Sequence, residues 1–200
     1  MKNKISSYSA IAAATFAVLP LSCKKDESKI ASDIESHEIN LTIIRPDLSH
    51  IPAIGYDTID LDGNGVYDFR LFAELDQRSY GSHLYRTVAY SITPGNEFLT
   101  GKQTTYDGYY YFCTPKHAGD KIDSNSTDFK PFAFFSYERE LSDVGINGQG
   151  DQYVGYRFKI GTATHYGWAR VYVSEGHDTL ILKEYAFKKT PDTEILAGEK

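Results

Sequence analysis

Cysteine is scarce in this sequence: Cys23 and Cys113 are the two in 200 residues, which excludes the small secreted scaffold held by several disulfides. Histidine is scattered. The six, His37, His50, His83, His117, His165 and His177, include no pair three or four residues apart and no H-E-x-x-H, so their spacing gives no support for zinc. No stretch repeats apolar residues at i, i+3, i+4 and i+7 between caps for three turns, which argues against a helical fold. The short motifs of catalysis are missing too. There is no G-x-S-x-G elbow, no phosphate loop ending in Gly-Lys-Ser or Gly-Lys-Thr, and no strand leading through a glycine-rich turn into a helix. The nearest approach, Gly145-Ile146-Asn147-Gly148-Gln149-Gly150, lacks a following lysine and reads as a loop. Positive charge is in deficit, with 21 Lys and Arg against 27 Asp and Glu for a net charge of −6. Phosphate backbones are held by clustered Lys and Arg, and the adjacent basic pairs here are Lys24-Lys25 and Lys188-Lys189, so no nucleic-acid partner is expected. The expectation is a protein that is not an enzyme. Two distant carboxylates could still form a glycosidase pair, which keeps a glycan-acting enzyme as an alternative.

The N-terminus has a clear order. Met1-Lys2-Asn3-Lys4 is basic, Ile5 to Leu21 is apolar and small, and Lys24-Lys25-Asp26-Glu27 turns abruptly polar. Ser6, Ser7, Tyr8, Ser9 and Pro20 interrupt the apolar run, which falls short of the roughly 20 apolar residues of a membrane span and reads as the core of a signal peptide. Leu21-Ser22-Cys23 resembles the lipobox of bacterial lipoproteins, with Pro20 where that family usually places Leu and Leu19 one step back. The charged run after Cys23 is most similar to lipoproteins of Bacteroidota, in which it is associated with export to the outer surface. The resemblance implies a signal peptide at 1–22, acylation of Cys23, and a lipidated flexible tether at 23–37. It also implies an outer-membrane address, at the cell surface or otherwise on the periplasmic face. Acyl chains suffice as the membrane contact, since each buried methylene contributes about 0.8 kcal/mol. Loss of Lys2 and Lys4 with the signal peptide takes the balance from 21 − 27 = −6 to 19 − 27 = −8.

The folded domain is expected over 38–200, one domain in size and long enough to bury a core without staples. Its rhythm has period two. Tyr67, Phe69, Leu71, Ala73 and Leu75 share one face, while Asp68, Arg70, Glu74 and Asp76 share the other. The same alternation runs through Ile39 to Ile44, Leu84 to Ile92, Tyr109 to Thr114, Tyr153 to Ile160, Trp168 to Val173 and Leu180 to Phe187. Strands separated by Gly, Asn, Asp and Pro clusters predict an all-β domain, an antiparallel β-sandwich of jelly-roll-like type or a barrel. The polar stretches Gly119 to Asp128 and Ser142 to Gln152 read as long loops. Cys113, within Tyr110-Tyr111-Phe112-Cys113, reads as a small buried hydrophobe.

One segment has chemical content. In Asp60-Leu61-Asp62-Gly63-Asn64-Gly65-Val66-Tyr67-Asp68, oxygens alternate and glycine stands sixth, as in the first half of an EF-hand-type calcium loop. Side chains of Asp60, Asp62 and Asn64, the Val66 carbonyl and Asp68 form the candidate set for Ca²⁺ in a structural role. Leu71 occupies the twelfth place, where a bidentate Glu belongs, and both flanks read as strands, so the segment resembles the D-x-D-x-D-G loops found outside true EF-hands. Asp57, Asp76 or a distant loop would supply the missing ligand. Asp-Gly and Asn-Gly are also hairpin-turn dipeptides that need no metal, and both readings stay open.

Aromatic residues are abundant, with 16 Tyr and 11 Phe. Tyr109, Tyr110 and Tyr111 populate both faces of one strand, and with Trp168 they are the candidate ligand-binding residues for a glycan or a protein. The segments around Tyr166-Gly167-Trp168, Tyr185-Ala186-Phe187 and Ile195-Leu196-Ala197-Gly198-Glu199 look like a module at the ends of secreted bacterial β-proteins, which implies a β-sandwich core. Gly155 and Gly167 read as sites of tight strand packing or a bulge beside Trp168. The functional expectation is a lipid-anchored envelope protein with a non-catalytic β-domain of unspecified ligand. The first alternative is a carbohydrate- or protein-binding surface module, the second an enzyme acting on envelope glycans.

Overall fold

A computed structural model describes residues 32–46, 53–77 and 83–200. The expected signal peptide at 1–22, the lipidation site Cys23 and the tether as far as residue 31 lie outside the described residues. Among the described residues every regular element is a strand, fifteen in all. In chain order they are β1 (Ile34–Ile44), β2 (Ala53–Ile59), β3 (Phe69–Gln77), β4 (His83–Ser91), β5 (Glu97–Thr105), β6 (Gly108–Cys113), β7 (Pro115–Lys116) and β8 (Lys121–Ile122). Then follow β9 (Phe129–Lys130), β10 (Phe132–Arg139), β11 (Ser142–Gly145), β12 (Asp151–Ile160), β13 (Ala163–Val173), β14 (Thr179–Lys188) and β15 (Ile195–Leu196).

The long strands form one path, β1-β14-β13-β12-β5-β6-β10-β4-β3-β2. Its long ladders are antiparallel, and β6 meets β10 in parallel at Phe112 and Phe134. β5 is the corner. Its first residues pair with β12 (Phe98 to Tyr156), and its remainder pairs with β6 from Thr100 to Thr105. The two ends of the path come together, because a side chain on Gly55 of β2 would strike the carbonyl of Ile44 in β1. The sheet is thus curled nearly shut, which is the all-β sandwich-or-barrel class that the alternation predicts.

Alternation places the core. Phe69, Leu71 and Ala73 of β3 point inward to meet Phe98, Phe135, Val154, Tyr156, Val171 and Leu182 from the facing strands. Cys113 is buried and free, as expected, and desolvation pushes its thiol far above the ordinary range, so it is inert packing. A second cluster forms on the outside of β12 to β14. There Trp168, Tyr166 and Ala186 are covered by Ile122 of β8 and by Ile195 and Ala197 of the C-terminal segment. Gly167 is demanded by close approach: an added Cβ would overlap the Tyr156 ring and lie 2.6 Å from the Ala186 carbonyl. Gly155, opposite Trp168, leaves room for the Ile122 side chain, and the β12–β13 register runs through both glycines without a bulge.

Three expectations need correction. The compact unit starts at Ser32, not at residue 38, because Ile34 to Glu38 already pair with β14 and His37 stacks on Tyr185 at 5.0 Å. The stretches 119–128 and 142–152 are not simply loops, since they contain β8, which pairs with β15, and β11, which pairs with β10. β5 and β10 were hidden from an alternation search. β5 is polar over most of its length, and β10 (FAFFSYER) buries side chains on both faces.

Candidate functional site

Between β2 and β3 the chain makes the acidic loop. Asp60 Oδ1 accepts the amides of Gly63 (2.8 Å) and Asn64 (3.2 Å), and its Oδ2 accepts that of Gly65 (2.7 Å). Asp62 accepts both the amide and the side-chain nitrogen of Asn64, and Asn64 Oδ1 accepts the Val66 amide at 2.7 Å. Gly65 sits at φ 86°, a left-handed conformation that a side chain would resist. These are short Asx-type turns, and they form because carboxylates recur every second residue.

Asp68 plays a different part. It is buried, with Oδ2 accepting the Leu61 amide (2.8 Å) and Oδ1 accepting Asn96 Nδ2 (2.8 Å), while Asn96 in turn accepts the Lys159 amide. The residue therefore ties the loop to the β4–β5 connection and to β12. Burial pushes its carboxyl above the usual range, Asp62 and Asp60 push the same way, and the Leu61 and Asn96 hydrogen bonds oppose them.

One carboxylate oxygen from each of Asp60, Asp62 and Asp68 lies within 4.8 Å of the other two. A donor set made wholly of hard oxygens suits Ca²⁺ rather than zinc, and a bound cation would offset the burial and, after it, the carboxylate repulsion that raise Asp68. Asp57 and Asp76 do not join this group, and Val66 is an exposed loop residue. If Ca²⁺ binds here, a tenfold excess over Kd is expected to raise stability by about 1.4 kcal/mol. The melt should move up with calcium and back with chelator, and Asp62→Ala should remove the response. Identical melts with and without calcium would leave the segment a hairpin turn.

Beside the loop lies a cleft of about 400 Å³ lined by Glu35, His37, Asp60, Asp62, Tyr185 and Lys189, among others. Burial and then the neighbouring carboxylates push the Tyr185 phenol up to about 12. Asp60 and Asp62 are engaged by loop amides, and Glu35 stands 3.2 Å from His37 Nε2, so the cleft displays no unengaged carboxylate pair.

The candidate aromatics separate. Trp168 is fully buried, its Nε1 donating to the Glu199 carbonyl at 3.1 Å and its ring edge-on to Tyr153 at 5.2 Å, so it is removed from any binding surface. The physical reason is the C-terminal segment, which folds back over that face of the sheet. Tyr110 is half-buried against Phe134 and Tyr137 at 5.1 and 5.4 Å. Tyr109 is 59% exposed, under the Lys102 ammonium at 3.4 Å. Tyr111 is half-buried, 6.1 Å from Phe132.

Tyr111 ends a longer strip that the sequence search missed. Tyr56 on β2, Phe72 on β3, Tyr90 on β4 and Phe132 on β10 follow one another across adjacent strands at centroid separations of 5.9, 5.5 and 6.3 Å, and Tyr111 on β6 completes the row. Tyr56 is 63% exposed and Tyr90 38%. A groove of about 460 Å³ opens on the same face, lined by Arg70, Phe72, Glu74, Tyr90, Ser91 and Ile92. On the same face Leu84, Val88, Phe112, Phe134 and Tyr137 form a third apolar cluster, against which Phe72 and Phe132 pack. The detectable signal was Phe72, an apolar residue in the polar register of β3 between Arg70 and Glu74.

No family model, curated protein or solved structure matches this chain.

Proposed function

We propose that the chain is a lipid-anchored envelope protein, attached through acyl chains on Cys23, whose non-catalytic β-domain binds a glycan on the outer face of β2, β3, β4, β10 and β6. The observation that carries the reading is the five-ring strip running over those strands beside an open groove. Contiguous exposed aromatic surface on a soluble domain marks a recognition site far more often than scattered single rings do. Flat rings supply contact area at low entropic cost, and Tyr is among the residues that dominate binding energy. The groove is within the range of small-ligand sites, roughly 300–1,000 Å³. In this reading Ca²⁺ at Asp60, Asp62 and Asp68 is a structural clip next to the groove, whose Ile92 donates its amide to the Asp68 carbonyl at 2.8 Å, and nucleic acid is not a partner.

Single Tyr56→Ala and Tyr90→Ala substitutions test it. Both rings stand at the surface, so each is expected to weaken retention on envelope polysaccharide about tenfold or more with a nearly unchanged melt. Full retention by both variants would contradict the assignment. Retention of a protein and of no polysaccharide would replace the glycan by a protein ligand.

A further inference from the structure

The aromatic strip carries more cations than its surroundings explain. The protein is acidic, with a net charge of −6. Yet the Arg70 guanidinium lies 5.5 Å from the Tyr56 ring centre, the Lys130 ammonium 4.8 Å from that of Tyr111, and the Arg86 guanidinium 6.0 Å from that of Phe134. Arg86 is neutralised by its ion pair with Glu74. Arg70 and Lys130 are not. Among the described residues neither has a carboxylate partner, and their neighbours are ring faces. Arg70 stands opposite Tyr90 in the β3–β4 register, and Lys130 precedes Phe132 by two residues. One uncompensated cation therefore flanks each end of the ring row.

Resting on the reading of this face as a glycan surface, we infer that its ligand is an acidic polysaccharide whose sugar rings carry carboxylates, of the uronic-acid class. The pyranose faces stack on Phe72, Tyr90 and Phe132, and the carboxylates meet Arg70 at one end and Lys130 at the other. The arginine fork matches a carboxylate in two-point geometry, and a hydrogen bond between charged groups is about twice as strong as a neutral one. An acidic peptide is the less favoured occupant. The strip crosses strands that are paired on both sides from β3 to β10, so strand addition has no open edge in the middle of it.

The full-length protein in detergent should be titrated with an oligouronate and with a neutral oligosaccharide of equal length. The oligouronate is expected to bind at least about tenfold more tightly at low salt. That preference should shrink toward unity in 1 M salt, where the screening length falls to about 3 Å. The Arg70→Gln, Lys130→Gln double variant should lose the preference while keeping the wild-type melt. Equal affinity for both sugars overturns this inference and leaves the glycan surface standing, whereas binding of neither overturns both. Polyglutamate bound as tightly as the oligouronate overturns the assignment to a sugar.

Discussion

Trp168→Ala is expected to lower the unfolding free energy by about 3–5 kcal/mol, the range for removing a buried large aromatic side chain. The indole is fully buried among Ile122, Ile195 and Ala197, it packs edge-on against Tyr153, and its nitrogen holds the Glu199 carbonyl. The substitution thus opens a cavity and frees the C-terminal strap together. That strap is also pinned by ion pairs from Lys200 to Glu184 and from Lys188 to Glu199, neither of which the alanine removes, so the loss should stay within the stated range. Against a total stability of roughly 5–15 kcal/mol for a domain, such a loss is severe. The melting temperature should fall on the order of 10 °C, read by calorimetry. A fall of a degree or less would mean that the ring is not core and that the C-terminal segment does not cover it.

Cys23→Ala is expected to have an equally large effect on location. In the proposed reading the acyl chains sit on this one residue, and two or more chains hold a protein in a bilayer essentially permanently, whereas a single chain holds it reversibly. Among the described residues no helix is long and apolar enough to cross a membrane. Fractionation should move the variant from the detergent-soluble membrane fraction to the soluble one. A variant that still partitions with membranes would show that the anchor lies elsewhere.

Period-two alternation made β3, β12, β13 and β14 legible, because each buries one face more fully than the other. It failed at β10, where Phe134 and Tyr137 fill the outer cluster while Ala133 and Phe135 fill the inner core, so no polar rhythm survives. It failed at β5 because that strand turns the corner between the two halves of the sheet and exposes Lys102, Gln103 and Thr104. The start of the domain was misplaced for a related reason. Glu35, His37 and Glu38 look like tether residues, yet their backbone completes the β14 edge.

The acidic loop was legible because its chemistry is local: a ligand at every second position and a glycine in sixth place belong to one short segment. The aromatic surface was not. Tyr56, Phe72, Tyr90, Phe132 and Tyr111 come from five strands spread over more than seventy residues, and only strand pairing brings them into a row. Trp168 failed as a surface candidate through the same non-local cause, since what buries it is a segment thirty residues further on.

The most direct measurement of the central claim is a map of ring-proton NMR shifts in the full-length protein on adding an oligouronate. The account predicts changes concentrated on Tyr56, Phe72, Tyr90, Phe132 and Tyr111, with Trp168 and Tyr185 unmoved. Changes confined to Tyr185 and the Asp60 to Asp68 loop, or no change at any ring, would contradict it.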